Sequence, residues 1–160
     1  MTGTTPGTVS NLTSNLGLQA YETQCTLPAS STVTLPTVHS SDFDANGRAA
    51  KMRFYLPASN CQSPSASAYT NVMATWTYTQ QEANVIQNSA SGGSSNVGCV
   101  VTAVSTGSAI PNGGNTIVAT ATTSSFALSS FIVEYQRYST ATVAAVGAVT
   151  CPVTLTLTYG

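Results

Sequence analysis

Charge is the scarcest property of this 160-residue sequence. It holds four Lys/Arg and five Asp/Glu, 6% of the chain, where an ordinary soluble domain carries about 25%. With a net charge of −1, nothing points to nucleic acid or to an acidic membrane surface. The one basic cluster, Arg48, Lys51 and Arg53, has Asp42 and Asp44 close by and reads as a solvated face. There is a single histidine, His39, and no Cys-x-x-Cys, so a metal site of the usual Cys/His kind is poorly supplied. His39 lies next to Ser40, Ser41 and Asp42, but no Gly-x-Ser-x-Gly elbow accompanies it. The carboxylates Glu22, Asp42, Asp44, Glu82 and Glu134 are scattered, which leaves no acid/base pair. Walker and Rossmann glycine patterns are absent, and no apolar run approaches the ~20 residues that span a bilayer. No signal peptide is visible; in an exported protein Met1 would stand where a removed signal had been. The expectation is a chain with no catalytic residue, no metal, no cofactor and no nucleic-acid partner.

Helical periodicity is also missing. Thr, Ser, Ala, Val and Gly dominate, and the apolar residues alternate with period two, as they do in half-buried strands. Leu16, Leu18 and Ala20 alternate towards Cys25. Val33 and Leu35 alternate before Pro36, which marks an edge or an end. Met52, Phe54 and Leu56 run up to Pro57. Val72, Ala74, Trp76 and Tyr78 form the clearest strand of the middle, with Trp76 read as core rather than a sugar-stacking platform. Val97–Val104 is β-branched; Ile117, Ala119 and Ala121 alternate, and so do Phe131, Val133 and Tyr135. Between them lie turn signals: Asn46-Gly47, the Ser/Pro-rich 62–68, the Ser/Gly-rich 87–96, and Asn112-Gly113-Gly114. Many strands separated by turns predict an all-β sandwich in one domain, and the length suits a single core.

The most informative stretch is the last, GAVTCPVTLTLTYG, from Gly147 to Gly160. Val149, Cys151, Val153, Leu155, Leu157 and Tyr159 occupy one parity; the other is small residues, threonine and proline. This predicts a long two-faced strand with one apolar face. Its backbone groups need neighbours, and an edge left open is adhesive.

A terminal alternating strand with tyrosine second from the end and glycine fourteenth from the end resembles the chaperone–usher fimbrial subunits. So does the run from Cys25 to Cys61, with its VTLP strand, Gly-containing loop and aromatic-rich strand. So does IQNSASGGSSNVGCVVTAVSTGSAIPNGG, in which an asparagine, a small-residue loop and a Val-Gly strand follow one another. The resemblance spans about residues 16–160. It implies an incomplete immunoglobulin-like sandwich that lacks its last strand. A periplasmic chaperone lends one first, and a neighbouring subunit's N-terminal extension then replaces it at an outer-membrane usher. On this reading Gly147, Val149, Val153, Leu155, Leu157 and Tyr159 line an acceptor groove that the chain does not fill within its own sheet. Residues 1–15 are a donor strand or a linker ahead of a pilin domain at 16–160, with Val9 and Leu12 the apolar candidates for donation. By composition alone this segment, rich in Thr, Gly, Ser and Asn, reads as a tail.

Four cysteines suit an oxidising compartment, and from the residues alone they allow three pairings. The resemblance implies Cys25–Cys61 and leaves Cys99 with Cys151. The implied protein is a fimbrial subunit on the bacterial surface, exported through the periplasm, with neighbouring subunits as partners and a host receptor reached through the assembled fibre. Two other readings stay open: the pilin domain of a two-domain tip adhesin, and a free-standing carbohydrate-binding β-sandwich.

Overall fold

A computed structural model describes residues 12–15, 24–26, 30–56, 59–62, 71–121 and 126–159, with side chains over 32–56, 71–120 and 127–158. Two sheets face each other. One contains β1 (Leu12–Asn15), β3 (Ser30–Ser31), β6 (Asn71–Thr77), β11 (Gly114–Ala121), β12 (Phe126–Leu128) and β14 (Val153–Tyr159), in the order β12-β11-β6-β14-β1-β3. The other contains β4 (Arg48–Tyr55), β7 (Gln80–Glu82), β8 (Val85–Ile86), β9 (Val97–Ala103) and β13 (Ser130–Arg137), in the order β4-β13-β9-β8-β7, with β10 (Ser108–Ala109) beside β9. A small third ladder joins β2 (Gln24–Thr26) to β5 (Ser59–Gln62). The pairing is antiparallel among the described strands, except that β1 runs parallel to β14. The all-β sandwich expected from the alternation is what forms.

The core is the space between the sheets, and period-two patterning fills it. Strand β6 sends Val72, Ala74 and Trp76 inward; β13 sends Phe131, Val133 and Tyr135; β14 sends Val153, Leu155 and Leu157. The ring centroid of Trp76 lies 5.0 Å from that of Phe131, which lies 5.7 Å from that of Phe54, so one aromatic chain crosses from sheet to sheet. The indole N–H is satisfied by the Thr116 hydroxyl at 2.7 Å, as a buried donor requires. Trp76 is therefore core.

Where the strands depart from simple alternation, a local reason is visible. Strand β11 shifts register between Ile117 and Ala119, so Val118 and Ala119 are both buried while Ile117 faces out. Strand β4 begins at Arg48, ahead of the alternating Met52-Phe54-Leu56, and shifts register opposite Val133 and Tyr135 around Ala50. Ala50 takes φ +60°, a left-handed conformation that side chains rarely adopt, and such a bulge disrupts the ladder. Lys51 and Arg53 are exposed along this edge strand, the kind of charge that discourages pairing there. Both Gly-containing turns are present. Gly47 takes φ +74° and donates to Asp44 O at 2.9 Å; Gly113 takes φ +79°, with Gly114 N donating to Pro111 O at 2.8 Å.

Three expectations are corrected. Val33 and Leu35 are not in a strand, although Leu35 is buried in the core; Pro36 follows it and cannot donate to a ladder. The last strand is shorter than its alternation suggests. It starts at Val153, because residues 147–152 are held by the Asn88 side chain and by isolated backbone bonds to the 87–96 loop rather than by a ladder. And the edge of the last strand is not left to another chain throughout, since β1 lies along part of it. The alternation of Leu16, Leu18 and Ala20 falls outside the described residues, as does Val9.

Candidate functional site

The site is built on β14. Its inner edge pairs with β6 over six positions, from Thr154↔Thr77 to Tyr159↔Val72. Its other edge pairs with β1 over four: Leu12↔Val153, Thr13↔Thr154, Ser14↔Leu155 and Asn15↔Thr156. Among the described residues no strand lies along that edge at Leu157, Thr158 and Tyr159. Val149, Val153, Leu155 and Leu157 are at most 2% exposed and belong to the core cluster. Their apolar face thus lies inside the sandwich, and what remains open at β14 is backbone edge. The side chain of Tyr159 lies outside the described residues, as does that of Leu12.

The approach to β14 is anchored by one side chain. Asn88 Nδ2 donates to Ser94 O at 3.0 Å and to Ala148 O at 2.8 Å, while Oδ1 accepts from Ala90 N at 3.0 Å and Thr150 N at 2.8 Å. All four hydrogen-bonding positions of the amide are used. Backbone bonds reinforce it: Ser89 N donates to Thr150 O at 2.8 Å, and Ser94 N to Ala148 O at 2.9 Å. Further back, Ser94 Oγ donates to Ala145 O at 2.7 Å, and Asn96 spans Val143 O and Ala145 N. Gly147 sits in this clasp at φ +153°, and a Cβ there would meet Ser94 N at 2.2 Å. Only glycine fits such close backbone approach. Gly147 is therefore a packing requirement of the clasp, six residues ahead of the strand.

Directly before β14, Cys151 is bonded to Cys99 of β9, with a Cα–Cα distance of 6.2 Å; both are fully buried. The bond ties the chain entering one sheet to a strand of the other. Cys25 and Cys61 stand on β2 and β5, which pair antiparallel through Gln24↔Gln62 and Thr26↔Ser59. Their side chains lie outside the described residues.

Among the described residues the titratable groups do not converge. His39 is exposed ahead of a 3-10 turn at Ser40–Asp42, and its backbone N–H donates to Asp42 Oδ2 at 2.7 Å. Glu134 lies 3.8 Å from Arg48. Glu82 accepts from the backbone N–H and hydroxyl of Ser139. Burial pushes the Tyr78 hydroxyl up to about 12, opposed in part by a backbone hydrogen bond with Asn112, and the hydroxyl donates to Ile110 O at 2.9 Å. Tyr138 is also raised, first by burial, against a backbone hydrogen bond with Asn88, with the nearby Glu82 charge adding to the rise. These are structural tyrosines at the ends of strands.

A two-sheet antiparallel sandwich, cross-tied by a disulfide and ending in an amphipathic strand with a partly open edge, is the architecture of an immunoglobulin-like structural domain. The Fimbrial protein family matches over residues 11–160, and the chain belongs to that family. Among solved structures, an antigen and type I fimbria protein of Burkholderia pseudomallei has the same fold. Its TM-score is 0.54 at 18% sequence identity, with 92% of each chain covered. No curated protein matches. Membership makes the chain a structural, non-enzymatic subunit that associates with other fimbrial subunits in a surface appendage.

Proposed function

We propose that this subunit polymerises by strand exchange at the outer edge of β14, contributing to adhesion through the fibre it builds. The observation that carries this reading is the unequal pairing of β14: six positions on the β6 side, four on the other, with Leu157–Tyr159 unmatched there among the described residues. An unpaired edge beside an apolar strand is a template for β-strand addition, in which backbone hydrogen bonds give affinity and alternate side chains give register. A periplasmic chaperone supplies the first strand, and the N-terminal extension of the next subunit replaces it at an outer-membrane usher. Contacts of this kind are heterologous and lead to a fibre rather than a closed dimer. The route runs through the periplasm to the bacterial surface, where the fibre reaches a host receptor.

The test is a pair of substitutions on opposite faces of β14, read by chaperone capture and fibre formation. Leu155→Lys places a charge on the buried face and should abolish both; Thr154→Lys, on the exposed face, should leave both intact. Normal fibres from Leu155→Lys would refute the proposal. A second reading, the accepting-only pilin domain of a tip adhesin, is favoured by one observation: Leu12–Asn15 lie in the chain's own sheet, where they are not free to donate.

A further inference from the structure

We propose that Leu12–Asn15 are an internal plug: in the isolated subunit this segment occupies the slot between β14 and β3, and polymerisation requires its expulsion. The inference rests on the strand-exchange reading above. The sheet order β14-β1-β3 makes β1 an interior strand, flanked on one side by Val153–Thr156 in parallel and on the other by Ser30 and Ser31 in antiparallel. A segment merely lying near the molecule would not be paired along both of its edges.

Three features make the plug replaceable. It matches four positions of β14, whereas a strand spanning Val153–Tyr159 would also match Leu157, Thr158 and Tyr159. Its text is Leu-Thr-Ser-Asn, one apolar residue among three polar ones, so its sequence lacks the alternate apolar residues that give an added strand its register. And its pairing with β14 is parallel, slightly weaker per residue than an antiparallel match. The incoming ligand is accordingly an extended segment of about seven residues with alternate apolar side chains, long enough to cover the whole edge. The plug satisfies backbone groups that would otherwise invite wrong pairing, and it yields to a strand that satisfies more of them.

The experiment uses the full chain with a cysteine at each member of one register pair, Thr13→Cys with Thr154→Cys. Neighbouring strands stand about 4.8 Å apart, within disulfide range. A control pair, Thr13→Cys with Thr158→Cys, joins the segment to a position beyond the plug. The proteins are oxidised at micromolar concentration, and the links are mapped by mass spectrometry. The plug predicts a Thr13–Thr154 link within one chain, favoured over links between chains by roughly 10²–10³-fold, since a tethered partner acts at about millimolar concentration. It predicts no such enrichment for the control. The locked monomer should then fail to extend a fibre, while each single variant assembles. Links found only between chains would overturn the plug and leave strand exchange standing. So would absence of the link in protein whose Cys99–Cys151 bond has formed, or a locked monomer that still polymerises. Failure of strand exchange itself is read separately, from normal fibres of Leu155→Lys.

Discussion

Replacing Asn88 by alanine tests whether one side chain sets the path of the chain into β14. The substitution deletes four hydrogen bonds of 2.8–3.0 Å. A typical bond contributes about 1 kcal/mol net, and a buried group left unmatched costs about 1–3 kcal/mol. Asn88 is half-buried, so water recovers part of this, and the loss should be about 2–4 kcal/mol. For a domain of this length 1 kcal/mol moves Tm by about 2–4 °C, so the midpoint should fall by roughly 5–15 °C. Ser89→Ala is the internal control. Its hydroxyl makes one long contact, 3.4 Å to Thr150 O at an exposed position, and its removal should change stability by less than about 0.5 kcal/mol. Thermal unfolding followed by circular dichroism measures both. Hydrogen exchange adds a local reading: the amides of Ala90 and Thr150, which donate to Asn88 Oδ1, should lose protection before those of β13. An Asn88→Ala midpoint within about 1 °C of wild type, with those amides still protected, would refute the claim that this amide holds the clasp.

Removing the Cys99–Cys151 bond by a double alanine substitution frees a loop with a sequence separation of 52. The loop-entropy relation gives about 4 kcal/mol, and denaturant unfolding that shows a loss below about 1 kcal/mol would contradict the relation here. Tyr78 makes the subunit alkali-sensitive. Its folded value of about 12 lies above the ordinary 10.0, so as pH rises past 10 the unfolded chain releases this proton first and stability falls until about pH 12. Tyr78→Phe should flatten that decline in an alkaline series of melts, and identical slopes would count against a buried, protonated Tyr78.

Much of the fold could be read from period two. Val72, Ala74 and Trp76, then Phe131, Val133 and Tyr135, alternate in the sequence and are buried in register, because both strands have one face on the core. Leu155 and Leu157 were equally legible. What could not be read depends on partners distant in the chain. Asn88 is one polar residue in a Ser/Gly loop, and its partners Ala148 and Thr150 lie 60 and 62 residues away. No local pattern encodes that, and it is why the last strand looked longer than it is. The bulge at Ala50 hides for a similar reason: an extra residue in β4 is defined only against β13. The position of Leu12–Asn15 was least visible of all. One leucine among polar residues carries no periodicity, and it is the order of neighbours in the sheet that makes the segment a strand.

The Cys99–Cys151 bond also decides which parts of the subunit feel a pull. Tension entering through the chain ends passes from Cys99 to Cys151 through sulfur and bypasses everything between. Strands β10, β11, β12 and β13 lie wholly within that closed loop. Even in a fully unravelled subunit, the loop closed over a sequence separation of 52, worth about 180 Å of extended chain, stays slack. A stretched subunit therefore lengthens by that much less than a reduced one, and the interior strand β13 is torn loose only by loss of its neighbours, never by direct traction along its own backbone.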